Sequence, residues 1–144
     1  MEKILLPVDG SESCNKAINR TISLLEFIEA EVTILTVVEE SPSLAGAPSK
    51  NRVNEKLKNQ EKLEEEAYNI TGLCAEKLEN KAKKVNRKVE EGNPAYIICQ
   101  EANSGDYSLV VVADMGKSAI KKFFLGSTTE KVVRFCSKTV MVVK

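Results

Sequence analysis

The feature that most constrains the fold is a series of short apolar runs, set far apart and separated by helix-patterned segments. Lys3–Val8 is apolar on successive residues and closes on Asp9-Gly10, a turn signal. Val32–Val38, Leu109–Ala113 and Thr139–Val143 have the same character, and Val85–Glu90 reads as a further strand. A strand that is apolar on both parities of its residues needs both faces covered, as in a parallel sheet between two helix layers. The intervening segments supply those layers. A helix is expected from about Ser13, with Ala17, Ile18, Thr21, Leu24, Leu25 and Ile28 at helical spacing and Ser11 or Ser13 as its N-cap. From about Asn54 to Asn86, Leu63, Ala67, Ile70, Cys74, Leu78, Ala82 and Val85 mark one apolar helix face. Pro94 opens a shorter helix through Ala95, Ile98 and Ala102, and Ser127–Phe135 forms the last. Glu39–Val53, with Pro42, Gly46 and Pro48, reads as a long loop. The pattern β-α-β-α-β-α-β-α-β predicts an α/β fold: an open, doubly wound, five-stranded parallel sheet with four helices.

A chain of 144 residues suits one domain. Its Lys+Arg and Asp+Glu counts are both 21, so bulk electrostatics gives no reason to expect nucleic acid or an anionic membrane as partner. Histidine is absent, which excludes Ser-His-Asp and Cys-His catalysis and histidine-ligated metals. No stretch approaches the roughly 20 apolar residues of a membrane span, and the N-terminal apolar run is too short for a signal peptide. A cytoplasmic protein is expected. Cys14, Cys74, Cys99 and Cys136 lack metal-ligand spacing and read as small buried residues in a reducing compartment.

In an open parallel sheet, ligands bind beyond the carboxyl ends of the strands, where strand order reverses. Two strand ends carry suitable residues. One is Pro7-Val8-Asp9-Gly10-Ser11; the other is Ala113-Asp114-Met115-Gly116, followed by Lys117–Leu125 and then Gly126-Ser127-Thr128-Thr129 opening a helix. Free amides, hydroxyls and the positive end of a helix dipole make the latter an anion site, most naturally for phosphate. It is not a Walker A loop, because Val111 stands where that motif needs glycine. There is neither a G-x-G-x-x-G fingerprint nor a nucleophile elbow. Lys117, Lys121 and Lys122 read as solvent-exposed, and Asp9 with Asp114 would be an acid/base pair without a companion catalytic group.

These segments together resemble the universal stress proteins over essentially the whole chain. The resemblance lies in Ile4–Ser11, in Gly92-Asn93-Pro94-Ala95 with Ile98 and Ala102, and in Leu125–Val132 followed by Val140–Val143. The family's nucleotide loop reads G-x-x-G-x(9)-G-[ST]. Gly116, nine intervening residues, Gly126 and Ser127 reproduce its second half, while Ala113 replaces the first glycine. The resemblance implies a Rossmann-like sheet in the order 3-2-1-4-5. It also implies that Asp9 and Val37 hold an adenosine and that the loop glycines and Ser127 hold its phosphates. Pro7, Val8, Ala113, Asp114, Met115 and Thr128 complete that expected site. A homodimer joined along Thr139, Val140, Met141, Val142 and Val143 is implied as well. The expected function is a stress-related regulator that binds ATP or a related adenine nucleotide and hydrolyses it at most slowly. The alternative is the branch of the family that binds no nucleotide and serves as a dimerisation and interaction module. No protein partner beyond a second copy is indicated. Two departures bear on the choice. Ala113 adds a methyl where close backbone approach is wanted. Asp114 places a carboxylate near a polyanion, a repulsion of about 3 kcal/mol at roughly 6 Å and an effective dielectric near 20. A Mg²⁺ ion bridging Asp9 or Asp114 to the phosphates would reverse that sign.

Overall fold

The computed structural model describes residues 1–39, 50–116 and 125–144, with side chains from 54 onward in the second stretch. Each apolar run forms a strand: β1 (Glu2–Pro7), β2 (Ala30–Val38), β3 (Lys84–Glu91), β4 (Leu109–Ala113) and β5 (Thr139–Val143). Helices α1 (Glu12–Leu24), α2 (Lys50–Leu78), α3 (Pro94–Ser104) and α4 (Ser127–Phe135) separate them. The sheet runs β3-β2-β1-β4-β5 with every neighbouring pair parallel. That is the expected order and class.

Residue parity explains why the runs are continuously apolar. Ile4, Leu6 and Val8 of the first strand segment, Val32 and Ile34 of β2, and Val111 and Ala113 of β4 pack with Ala17, Ile18, Cys74 and Leu78 of α1 and α2. The intervening Leu5, Leu35, Val110 and Val112 face the other way, onto Ile98, Ala102 and Val132 of α3 and α4. Successive side chains alternate across a strand, so each strand feeds two cores.

Three expectations are corrected at the element ends. α1 begins at Glu12, and its N-cap Ser11 makes no side-chain cap bond; Leu25 and Ile28 lie beyond its end. α2 ends at Leu78, so Ala82 and Val85 are not on its face: Ala82 lies in the turn that follows and Val85 in β3. Helical spacing continued by coincidence through a turn into a strand. Residues 50–53, expected in a loop, are helical; the rest of that loop, 40–49 with Ser41, Ser43 and Ser49, lies outside the described residues, as do Lys117, Lys121 and Lys122. Pro94 does open α3, and Asn93 Oδ1 caps it by accepting from the Tyr96 amide at 3.1 Å.

The ladder between β1 and β2 runs from Glu2↔Ala30 to Pro7↔Leu35. Between β1 and β4 it comprises only Ile4↔Leu109 and Leu5↔Val110. The crevice of a doubly wound sheet lies beyond the carboxyl ends of these two strands, where the strand order reverses.

Candidate functional site

One wall of that crevice is the turn after β1. The Val8 amide still donates to Leu35 O at 2.9 Å, holding the chain on β2. Gly10 then reverses direction at φ +80, and a Cβ there would lie 2.8 Å from Ile70 Cδ1, so both conformation and space call for glycine. The turn brings Asp9 back over the start of α1. Its Oδ1 accepts from the Ser11 amide at 2.9 Å and from the Cys14 thiol at 2.9 Å. Its Oδ2 lies against Gly116, 2.9 Å from the position a Cβ on that residue would take. Cys14 is buried, and burial followed by the hydrogen bond to Asp9 pushes its pKa up to about 11. At neutral pH it is a thiol and a hydrogen-bond donor.

The opposite wall is built at the end of β4. The Asp114 amide donates to Val143 O at 2.9 Å, and Asp114 O accepts from the Gly126 amide at 2.8 Å. Ala113 O accepts from the buried Thr129 hydroxyl at 2.7 Å, fastening α4 to the strand. A Cβ on Gly126 would lie 3.3 Å from Met115 Cα and 3.4 Å from the Gly116 amide nitrogen. Glycine thus lets the start of α4 rest directly on the loop backbone. Gly126 is the N-cap and brings no side chain to the first-turn amides. Those amides have no intrahelical acceptor and carry the positive end of the helix dipole.

Between the walls lies a cavity of about 500 Å³. Of the expected site residues, Pro7, Val8, Asp9, Val37, Ala113, Met115, Gly116, Gly126, Ser127 and Thr128 all line it. Asp114 does not: its backbone ties the wall together, while its Oδ1 is buried without a partner among the described residues. Asp9 and Asp114 therefore do not converge on the cavity. No cluster of three or more Cys, Asp or Glu suited to a metal occurs among the described residues. Ala113 is 6% exposed, and its methyl belongs to the core beneath α1 and α2.

Sequence reasoning missed part of the lining. Leu63, Glu66, Ala67 and Ile70 bring α2 over the cavity, which no local pattern announces. Thr36 also lines it; the residue is 4% exposed, and its hydroxyl has no partner among the described residues. The available signal was a hydroxyl near the carboxyl end of a largely apolar strand.

A family model described as the universal stress protein family matches residues 1–144. The chain belongs to the universal stress protein family. A universal stress protein of Methanothermobacter thermautotrophicus is 33% identical over 145 residues, covering 99% of this chain and 94% of that protein. Universal stress protein MJ0577 of Methanocaldococcus jannaschii is 30% identical over 153 residues, covering 99% and 94%. Its solved structure superposes with a TM-score of 0.85 over 99% of this chain and 95% of that one. An AMP-bound family member from Arabidopsis thaliana shares the fold at 17% identity, with a TM-score of 0.66 over 100% and 92% of the two chains. In this universal stress protein, no helix among the described residues is long and apolar enough to cross a membrane.

Proposed function

We propose that this universal stress protein is a single-domain, cytoplasmic regulator that binds an adenine nucleotide between the ends of β1 and β4 and works as a homodimer. The observation that carries the reading is the composition of the two cavity walls. On one side, Gly116 and the first turn of α4 after Gly126 present backbone amides and the Ser127 and Thr128 hydroxyls, which suit phosphate oxygens. On the other, Pro7, Val8 and Val37 form apolar surface beside the Asp9 carboxylate and Thr36, which suits a nucleoside. About 500 Å³ falls within the range of small-molecule sites, roughly 300–1,000 Å³. The AMP carried by the Arabidopsis relative is consistent with this class of ligand.

The placement of Asp114 changes the electrostatic expectation. Asp114 is not among the residues that line the cavity, so its carboxylate does not contact a ligand seated there. A Mg²⁺ bound with the nucleotide would take Asp9 as its protein carboxylate on this wall, with phosphate and water completing its shell. The carboxylates that line the cavity among the described residues are Asp9, Glu39 and Glu66, and slow hydrolysis at most is expected.

The non-binding module of the same family remains the second reading, and Ala113 is the observation in its favour, since the missing loop glycine is filled by a packed core methyl. Absorbance at 260 nm after denaturing the purified protein separates the two. Released adenine nucleotide from wild type, and none from Gly126→Val, is the expected result. Equal release from both proteins contradicts the proposed site.

A further inference from the structure

We propose that Cys14 is a positioning residue for the ligand site, its thiol holding the Asp9 carboxylate in the orientation that faces the cavity and Gly116. The proposal rests on the nucleotide reading above and adds a residue to it.

Four contacts link Asp9, Ser11 and Cys14. The Ser11 amide and the Cys14 thiol both donate to Oδ1 at 2.9 Å. The Asp9 amide returns a bond to Cys14 Sγ at 3.4 Å, and the Ser11 hydroxyl approaches the same sulfur at 3.5 Å. The sulfur is therefore donor to the carboxylate and acceptor from its backbone, clasping the turn from both sides. Ser11, which as N-cap would ordinarily turn its hydroxyl to the first helical amides, makes no such bond. The start of α1 is organised around Asp9 instead.

This orientation has a consequence across the crevice. With Oδ1 held, Oδ2 lies where Gly116 leaves room and a Cβ would stand at 2.9 Å. A carboxylate free to turn about its side-chain bonds would meet the loop backbone differently. It would also point its charge differently relative to phosphates seated on that loop. The clasp needs a small buried donor that stays protonated. A thiolate beside Asp9 would add like charge and lose the donated bond; burial and the carboxylate oppose that ionisation. Alanine lacks the donor, valine fills the space without donating, and serine restores it.

Packing alone is the competing explanation, because Cys14 is 6% exposed and touches the core that includes Ala17 and Ile18. Calorimetric titration of AMP and ATP into wild type, Cys14→Val and Cys14→Ser, with thermal melts of each, distinguishes them. The expected result is a loss of about five- to tenfold in affinity for Cys14→Val, the worth of one hydrogen bond, and affinity within about threefold of wild type for Cys14→Ser. Melting temperature would not follow that order if serine packs less well than valine. Wild-type affinity in Cys14→Val, or equal losses in both variants, overturns the positioning role while leaving the nucleotide reading intact. Absence of nucleotide binding by folded wild type overturns both. If Cys14→Val does not fold, Cys14→Ala supplies the same comparison against serine.

Discussion

Thr36 is buried at the cavity wall with a hydroxyl that meets no partner among the described residues. Leaving such a group unpaired costs about 1–3 kcal/mol, which a near-isosteric apolar side chain would avoid. The two branches of threonine are close in size, so rotation about its first side-chain bond exchanges methyl for hydroxyl at the cavity surface with little repacking. Thr36→Val is expected to raise the stability of the free protein by about 1 kcal/mol and to weaken nucleotide binding severalfold. Chemical denaturation and ligand titration on the same variant check both signs; a stability gain without loss of affinity would assign Thr36 to the fold alone. Asp9 illustrates what local sequence does reveal, since Asp-Gly after an apolar run marks a strand end and a turn. Asp114 illustrates what it does not. Adjacent to the glycine loop in sequence, it serves the wall through its main chain and does not line the cavity.

The elements whose faces are both buried were the legible ones. β1, β2 and β4 are apolar on successive residues because each feeds two cores, and the sequence states this directly. The end of α2 was not legible, because Ala82 and Val85 extend its spacing by chance. β3 is mostly polar: a parallel ladder from Glu31↔Lys84 to Val38↔Glu91 joins it to β2, and polar side chains tie it to the helices on both faces. Arg87 donates through Nε to Thr71 Oγ1 at 3.0 Å and through Nη2 to Tyr68 O at 2.8 Å, and stacks 4.0 Å from the Tyr68 ring. On the opposite face of the sheet, Glu101 of α3 accepts from Lys88 of β3 at 2.7 Å and from Tyr107 at 2.7 Å. Burial disfavours the Glu101 charge, yet those two bonds outweigh it and hold the carboxyl below its ordinary value. A carboxylate whose pKa is lowered in the folded state stabilises above its unfolded value, and that contribution disappears as pH falls through the folded one. Glu101→Gln should therefore flatten the acid side of the stability profile, below about pH 4.5, by about 1 kcal/mol or less because the Lys88 side chain is 42% exposed and solvent screens the pair. Denaturant midpoints measured from pH 3 to 7 test this; an unchanged acid limb would show the bonds to be energetically neutral.

For the whole molecule, the sheet order leaves β5 at an edge. Val143 O accepts from the Asp114 amide, so the main-chain groups of Val143 and, two residues earlier, Met141 point toward β4. Those of Val140 and Val142 then face outward, and an unpaired apolar edge of this kind is ordinarily covered or paired. A dimer joined along β5 is expected in sedimentation at tens of micromolar. Val142→Pro should shift it toward monomer by deleting an outward amide while sparing the ladder to β4. A monomeric wild type would contradict the proposed assembly. The central claim is that the crevice between β1 and β4 is a nucleotide site, and calorimetric titration of ATP and AMP into the folded wild-type protein tests it most directly. Saturable binding of one nucleotide per protomer is expected, tightened by Ala113→Gly, which removes a methyl from the cavity lining, and abolished by Gly126→Val. No heat from either nucleotide at millimolar concentration, in both the folded wild type and Ala113→Gly, would contradict it.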